Sequence, residues 1–466
     1  MADEIFKRSV SIARPAAEVF AWHERAGAFA RLCPPWERVE LTRHVGGIRD
    51  GARVSLRTKA GPIWLRWEIE HRDYLERRQF RDVLLSGPFA KWEHLHRIDA
   101  EGEHACVLTD EIHYRLPLGL LGRLGGAAFT RAQLSRMFEY RHAVTKADLE
   151  LGISVGAETL MPPRKCVLVS GGSGLVGRAL QGFLETQGCT VRLLVRRTAR
   201  GEREYQWDPS AGTIDGRALA GVDAVILLGG ENVAGGRWTT ARKAAIRFSR
   251  VDGARTLAQA IAARPAGERP EVVVSAAAVG FYGSKEDLVL GEDAGLGGGF
   301  LAEVCAAWEG ELAALEALGV RTVALRTGVV LSPAGGALAK MLPAFLVGAG
   351  GRLATGRQWM SWITPDDLCA LYLRAVLDST WRGAFNAVAP EPVTNAEFTA
   401  TLARVLRRPA ILPVPAAALK LIFGEMAEET LLASTRAVPV RATQAGFTWR
   451  HAKLESALRH VLGRKG

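Results

Sequence analysis

The chain has 466 residues, too many for one ordinary hydrophobic core, so two or three domains are expected. A composition of 48% hydrophobic and 23% charged residues excludes a disordered chain, and no apolar run reaches the roughly 20 residues that span a bilayer. The net charge of +11 is spread along the sequence without basic and aromatic clusters, which argues against a nucleic-acid partner.

The opening stretch, MADEIFKRSV, has early acidic residues and no apolar core, so it does not read as a secretory signal. An alternating strand, IFKRSVSI, comes first, followed by a helix over RPAAEVFAWHE. There Pro15 suits the first turn and Glu18 complements the helix dipole. RVSLRT, IWLRWEIEH and CVLTDEIHYRL then alternate as an antiparallel sheet does. A long helix over AAFTRAQLSRMFEYRHAVTKADLEL closes the segment, with Leu134, Met137, Phe138 and Arg141 on one face. This order resembles the helix-grip fold of START-like and polyketide-cyclase-like proteins, which implies an apolar ligand cavity. Trp64, Trp67 and Trp92 either line such a cavity or fill a core.

Residues 151–164, LGISVGAETLMPPR, have weak periodicity and read as a linker. Beyond them the pattern changes to continuous apolar runs separated by helices: CVLVS, TVRLLV, DAVILL, EVVVSA and RTVALR. Such runs belong to a parallel sheet covered on both faces. Between CVLVS and the next helix lies GGSGLVG. Gly171, Gly174 and Gly177 allow a backbone to approach a pyrophosphate closely, and Ser173, Leu175 and Val176 place amides at the helix N-terminus. The helix carries Val176, Leu180, Phe183, Leu184 and Gln187 as one stripe, and Gly188 ends it. Arg196 and Arg197 end the second strand where an NAD site would place an acid. Arginines there suit a 2′-phosphate, so NADP(H) is the expected cofactor, the alternative being exposed loop arginines. Leu228, Gly229 and Gly230 after the next parallel strand form a further contact zone, and Ser275 and Ala276 after the fifth complete it.

Further blocks follow: GGRWTTARKAAIRFSR, AAVGFYG, FLAEVCAAWE, LRTGVVLSPAGGALAKMLPAF, GRQWMSWITPDDL, FNAVAPEPVTN and GEMAEETLLASTRAVPVRATQAGF. Together they resemble an atypical family of extended short-chain dehydrogenases, related to nucleoside-diphosphate-sugar epimerases and described as epimerase-like or cell-division-inhibitor-like. The resemblance implies an NAD(P)-binding Rossmann domain over 165–410 and a C-terminal helical lobe over 411–466, after a START-like ligand-binding domain over 1–150. It also implies a Tyr-x-x-x-Lys pair, and the chain has none. Those two positions fall near Leu301 and Cys305, the helper serine is replaced by Ala277 and Ala278, and a histidine of the family is Thr364.

Tyr282, just after the fifth strand, is the remaining candidate proton donor, its alternative being a packed aromatic. Lys243 and Arg326 are further candidates, their alternatives being a solvated helix face and a structural ion pair, and the loop residues Gln358, Trp359, Trp362 and Asp366 serve either the cleft or packing. Eight of the ten histidines precede residue 150, and the others are His451 and His460. Six scattered cysteines without C-x-x-C spacing fit a reduced, cytoplasmic protein with no metal site. Two functions compete. One is an NADP(H)-dependent oxidoreductase or epimerase-like enzyme with non-standard catalytic residues. The other is a non-catalytic NADP(H)-binding sensor coupled to a domain that takes a small apolar ligand. A lipid- or polyketide-handling module with a purely structural Rossmann lobe is a third reading.

Overall fold

The computed structural model describes residues 3–117, 119–151, 154–155, 158–159 and 165–465, so most of the expected linker, including Pro162 and Pro163, lies outside the described residues. The chain divides into two compact units, one built on 3–151 and the other on most of 165–461. Among the described residues no helix is long and apolar enough to cross a membrane.

The first unit has the helix-grip fold. Strand β1 (Glu4–Ile12) is followed by helices α1 (Ala16–Glu24) and α2 (Ala28–Leu32). Six strands come next: β2 (Val39–Val45), β3 (Arg53–Ala60), β4 (Ile63–Leu75), β5 (Gln79–Ser86), β6 (Lys91–Ala100) and β7 (Cys106–Arg115). They pair antiparallel in the order β1-β7-β6-β5-β4-β3-β2, with irregularities between Leu41 and Arg43 and between Arg72 and Leu75 that bend the sheet. The long helix α3 (Gly119–Leu149) follows. Its Leu134 and Phe138 pack with Phe6, Trp92, Ile112 and Tyr114. Trp67 and Trp92 pack edge-on at 5.7 Å with Phe89 against both, whereas Trp64 lies under the Arg57 guanidinium at 4.7 Å. Alternation decides which face each strand buries, and on β6 the buried positions are Trp92, His94, His96 and Ile98.

The second unit is a doubly wound Rossmann sheet. Its strands are β8 (Cys166–Ser170), β9 (Thr190–Val195), β10 (Glu204–Asp208), β11 (Thr213–Ile214), β12 (Ala224–Leu227), β13 (Val272–Ala278), β14 (Arg321–Thr327) and β15 (Gly383–Ala387). They lie in the order β11-β10-β9-β8-β12-β13-β14-β15, parallel except for β11. Every residue of β12 and most of β8 and β13 is buried, which explains their unbroken apolar runs. The crossovers include α4 (Leu175–Thr186), α5 (Thr240–Ala262) and α6 (Phe300–Gly310). Chain order reverses between β8 and β12, and ligands of such sheets bind outside the strand ends at that point.

The C-terminal residues do not form a separate compact unit. Arg436–Ala437 pair in parallel with Val289–Leu290, and Ser361 Oγ bonds the carbonyls of Thr435 at 2.8 Å and Ala437 at 3.1 Å. Residues 411–461 therefore share a unit with the parallel sheet.

Candidate functional site

Strand β8 leaves the sheet at Gly171, whose φ of +69° is open to glycine at little cost. A Cβ there would stand 3.0 Å from Gly229 N and Leu228 C, so the chain after β12 crosses directly over the turn. Gly177, one turn into α4, would drive a Cβ into the Gly171 carbonyl oxygen and to 2.7 Å from Gly172 Cα. Gly174 is exposed, and a Cβ there would meet only Gly171 O, at 3.2 Å. The three glycines thus divide the work into a tight turn, an open approach and close helix packing.

The Gly174 amide donates to Gly171 O at 3.0 Å, whereas among the described residues those of Ser173, Leu175 and Val176 donate to no backbone carbonyl. They are the free donors of a helix N-terminus and form the positive end of its dipole. Sequence reasoning missed Gln181. Its Nε2 donates to Gly172 O at 2.6 Å and Gly177 O at 3.0 Å and so clamps the loop from within α4. Ser170 Oγ accepts from Leu228 N at 3.2 Å and ties the ends of β8 and β12 together. Gly230 lies against the Arg250 guanidinium, where a Cβ would come within 2.9 Å of Cζ. Ser275 is buried and donates to the Ala276 carbonyl at 2.9 Å. In register Ser170 opposes Leu227 and Leu227 opposes Ser275, so the glycine loop, Leu228–Gly230 and Ser275–Ala276 gather along one sheet edge.

The two arginines after β9 differ. Arg197 is held by Glu204 through paired bonds of 2.8 and 2.6 Å, and Glu204 also accepts from Arg200 N at 2.7 Å. Arg196 is exposed and, among the described residues, makes no hydrogen bond or ion pair. Of the two expected phosphate ligands, Arg196 is thus the open guanidinium and Arg197 the one engaged by Glu204.

Tyr282, the expected candidate proton donor, is packed inside the second unit. It has no solvent exposure, and its hydroxyl donates to Asn386 Oδ1 at 2.7 Å while accepting from Arg326 Nη1 at 3.0 Å. Arg326 in turn holds Glu309 through bonds of 2.9 and 2.8 Å and lies 3.5 Å over the Phe281 ring. Burial pushes the Tyr282 phenol above its ordinary value, so it keeps its proton, but with no exposure the hydroxyl has no open path to a substrate. Its partners make it a buried strut.

Leu301 and Cys305 lie one turn apart on α6 and face Gly280, whose Cβ would stand 3.4 Å from Leu301 Cβ and 3.9 Å from Cys305 Sγ. Burial pushes the Cys305 thiol up to about 12, so it stays protonated. The N-terminus of α6 is capped from far along the chain: Glu429 accepts from the amides of Phe300 and Leu301, both at 2.8 Å. Lys243 is paired with Glu425 at 2.7 Å. The tryptophan-rich loop packs: Gln358 donates to Leu353 O and Leu431 O, Trp359 to Asp287, and Trp362 to Glu391 O. Thr364 caps the helix Pro365–Leu377 by accepting from Asp367 N at 3.1 Å, and Asp366 pairs with His460 at 2.7 Å.

Three family profiles match the sequence. The NAD dependent epimerase/dehydratase family covers 167–386, polyketide cyclase / dehydrase and lipid transport covers 4–150, and a domain of unknown function, DUF1731, covers 414–461. The epimerase family protein Mb2239 of Mycobacterium bovis is 42% identical over 300 residues, 64% of this chain and 98% of that protein. Among solved structures, the nucleoside-diphosphate sugar epimerase from Corynebacterium glutamicum superposes with a TM-score of 0.78 at 32% identity, over 98% of this chain and 90% of that one. Human epimerase family protein SDR39U1, crystallised with NADPH, superposes with a TM-score of 0.57 at 30% identity, over 63% of this chain and 98% of that one. A glycine loop at the switch point of a Rossmann sheet and relatives matched over nearly their whole length agree: the chain belongs to the epimerase family of extended short-chain dehydrogenases.

Proposed function

We propose that the second unit binds NADP(H), with the pyrophosphate on the free amides of the 173–176 turn and the 2′-phosphate at Arg196. The fit rests on one observation: exposed Gly174 leaves the mouth of the loop open, while Gly171 and Gly177 admit no side chain. Leu228, Gly229, Gly230, Ser275 and Ala276 would border the rest of the cofactor, and the SDR39U1 structure with NADPH supports the choice. When bound, the cofactor supplies a hydride donor or acceptor. What the chain lacks is the neighbouring acid–base relay. Leu301 is aliphatic, Cys305 is held as a neutral thiol, and the hydroxyls of Ser275 and Tyr282 are engaged within the protein.

The reading is an NADP(H)-dependent oxidoreductase or epimerase-like protein with non-standard catalytic residues. Because a positioned acid–base group contributes about 10²–10⁴-fold to rate, turnover of common sugar nucleotides and simple alcohols or ketones should sit near background. The same engaged groups favour a second reading, a nucleotide sensor without catalysis. NADPH fluorescence titration of wild type and Gly174→Val, with single-turnover NADPH oxidation over a substrate panel, tests both. Unchanged affinity in Gly174→Val would remove the cofactor site. Fast oxidation by a panel substrate would remove the sensor.

A further inference from the structure

The first unit buries an unusual row of charged chemistry. His94 and His96 alternate on β6 and both point into the core, 2% and 7% exposed. In register, Asp82 on β5 opposes His94, Asp110 on β7 opposes His96, and His71 on β4 opposes Asp82. Strand pairing therefore delivers four groups from three strands to one patch, with His71 beside them.

The distances sort the two carboxylates into different roles. Asp110 Oδ1 lies 2.8 Å from His94 Nε2 and 2.8 Å from His96 Nδ1, good hydrogen bonds that occupy one nitrogen of each ring. Its other oxygen accepts from His142 Nε2 at 2.6 Å. The remaining nitrogens, His94 Nδ1 and His96 Nε2, face Asp82 Oδ2 at 3.6 and 3.4 Å. The His96 contact is a long, weak hydrogen bond and the His94 contact lies beyond hydrogen-bond distance, against a usual range of about 2.7–3.2 Å. They match the edge of a tetrahedron built on metal–ligand bonds of about 2.0–2.2 Å, which is about 3.3–3.6 Å. If each ring spends its N–H on Asp110, two lone pairs and a carboxylate converge on one point, and such a point wants a cation.

We propose that Asp82 Oδ2, His94 Nδ1 and His96 Nε2 bind one divalent transition-metal ion, with Asp110 orienting both imidazoles from behind. One ligand atom from each of the three residues lies within 4.8 Å of the others. A carboxylate taking the distal N–H of a metal-bound histidine fixes the tautomer and raises ligand basicity, and one Asp110 serves two rings. Two imidazoles and a carboxylate select zinc-class ions over magnesium or calcium. Asp82 keeps 20% of its side chain exposed, which gives the ion an entry and leaves a fourth position to water. His71 Nδ1 lies 2.8 Å from Asp82 Oδ1 on the carboxylate's other side, without hydrogen-bond geometry. The ion would sit in the first unit, the one matched by the polyketide cyclase / dehydrase and lipid transport profile.

The test uses the full chain, stripped with a chelator and titrated with Co²⁺ at neutral pH, then with Zn²⁺ in competition. One equivalent of Co²⁺ with visible d–d absorption, displaced by Zn²⁺, is expected. His94→Ala/His96→Ala should lose that equivalent, and Asp110→Asn, which keeps all three ligands, should weaken affinity about 10–100-fold. Near-UV circular dichroism reports folding, and where the double variant does not fold, Asp110→Asn decides. A second grouping, Asp366 with His451 and His460, is the internal control. Failure of the wild type to bind either ion would overturn the proposal and leave the histidines as cations paired with Asp82 and Asp110. Loss of the equivalent in His451→Ala, with retention in His94→Ala/His96→Ala, would overturn it equally.

Discussion

Tyr282→Phe removes a single hydroxyl from a position with no exposure. Arg326 retains its paired bonds to Glu309, and Asn386 Nδ2 retains Leu290 O and Val438 O, so both neighbours stay anchored. What is left is Asn386 Oδ1, a buried acceptor whose donor has gone. Leaving such a group unsatisfied costs about 1–3 kcal/mol. For a unit of about 300 residues, an unfolding entropy of about 2.1 cal/mol/K per residue turns this into a Tm lowered by roughly 2–5 °C. NADPH affinity should not change, because the tyrosine belongs to the 279–282 turn and not to the glycine loop. Calorimetry and NADPH titration on the same preparations separate the effects. An unchanged Tm, with or without loss of substrate turnover, would refute the assignment of Tyr282 as a buried strut.

Arg196→Ala should weaken NADPH binding about tenfold or more and leave NADH untouched, since charge-assisted phosphate contacts are strong. Arg197→Ala should do less, because Glu204 already holds that side chain; titrations in which Arg197→Ala is the more damaging would reverse the roles. Glu429→Ala should lower stability by about 0.5–2 kcal/mol, as loss of a helix cap does, read as a lower urea midpoint at constant m. Burial beside His460 holds the His451 pKa at about 4, against 6.5 for the free side chain. The unfolded chain takes up that proton first, so stability should fall as pH drops from about 6.5 toward 4. Urea midpoints at several pH values should show a shallower fall in His451→Gln, and an identical slope would count against this origin.

What could be read from sequence follows from how local its physics is. The run CVLVS announces a strand buried on both faces, and Gly171 and Gly177 announce themselves because nothing larger fits. The Arg197–Glu204 pair was not legible: it ties the loop after β9 to the start of β10, a neighbour whose register no local pattern displays. Tyr282 looked available for the same reason, since Arg326 and Asn386 come from strands 44 and 104 residues away. Gln181 is an ordinary helix residue until the loop folds back over it. His94 and His96 stand two apart in the sequence, but nothing local shows which carboxylates they meet. Only the register of β5 and β7 against β6 brings Asp82 and Asp110 to those rings.

The cap that Glu429 gives α6 has a consequence for biosynthesis. Phe300 and Glu429 are 129 residues apart, and a ribosome adding about 5–20 residues per second needs roughly 6–26 s to cover that interval. Throughout it, the first turn of α6 carries two amides with their final acceptor not yet made. The nucleotide-binding half of the sheet, from β8 to β12, can pair before then, while the wall at Leu301 and Cys305 waits for the end of the chain. A nascent chain stalled before residue 429 would hold a glycine loop beside an unfinished α6, and a gene fragment cut at the apparent boundary after residue 410 would never progress past that state.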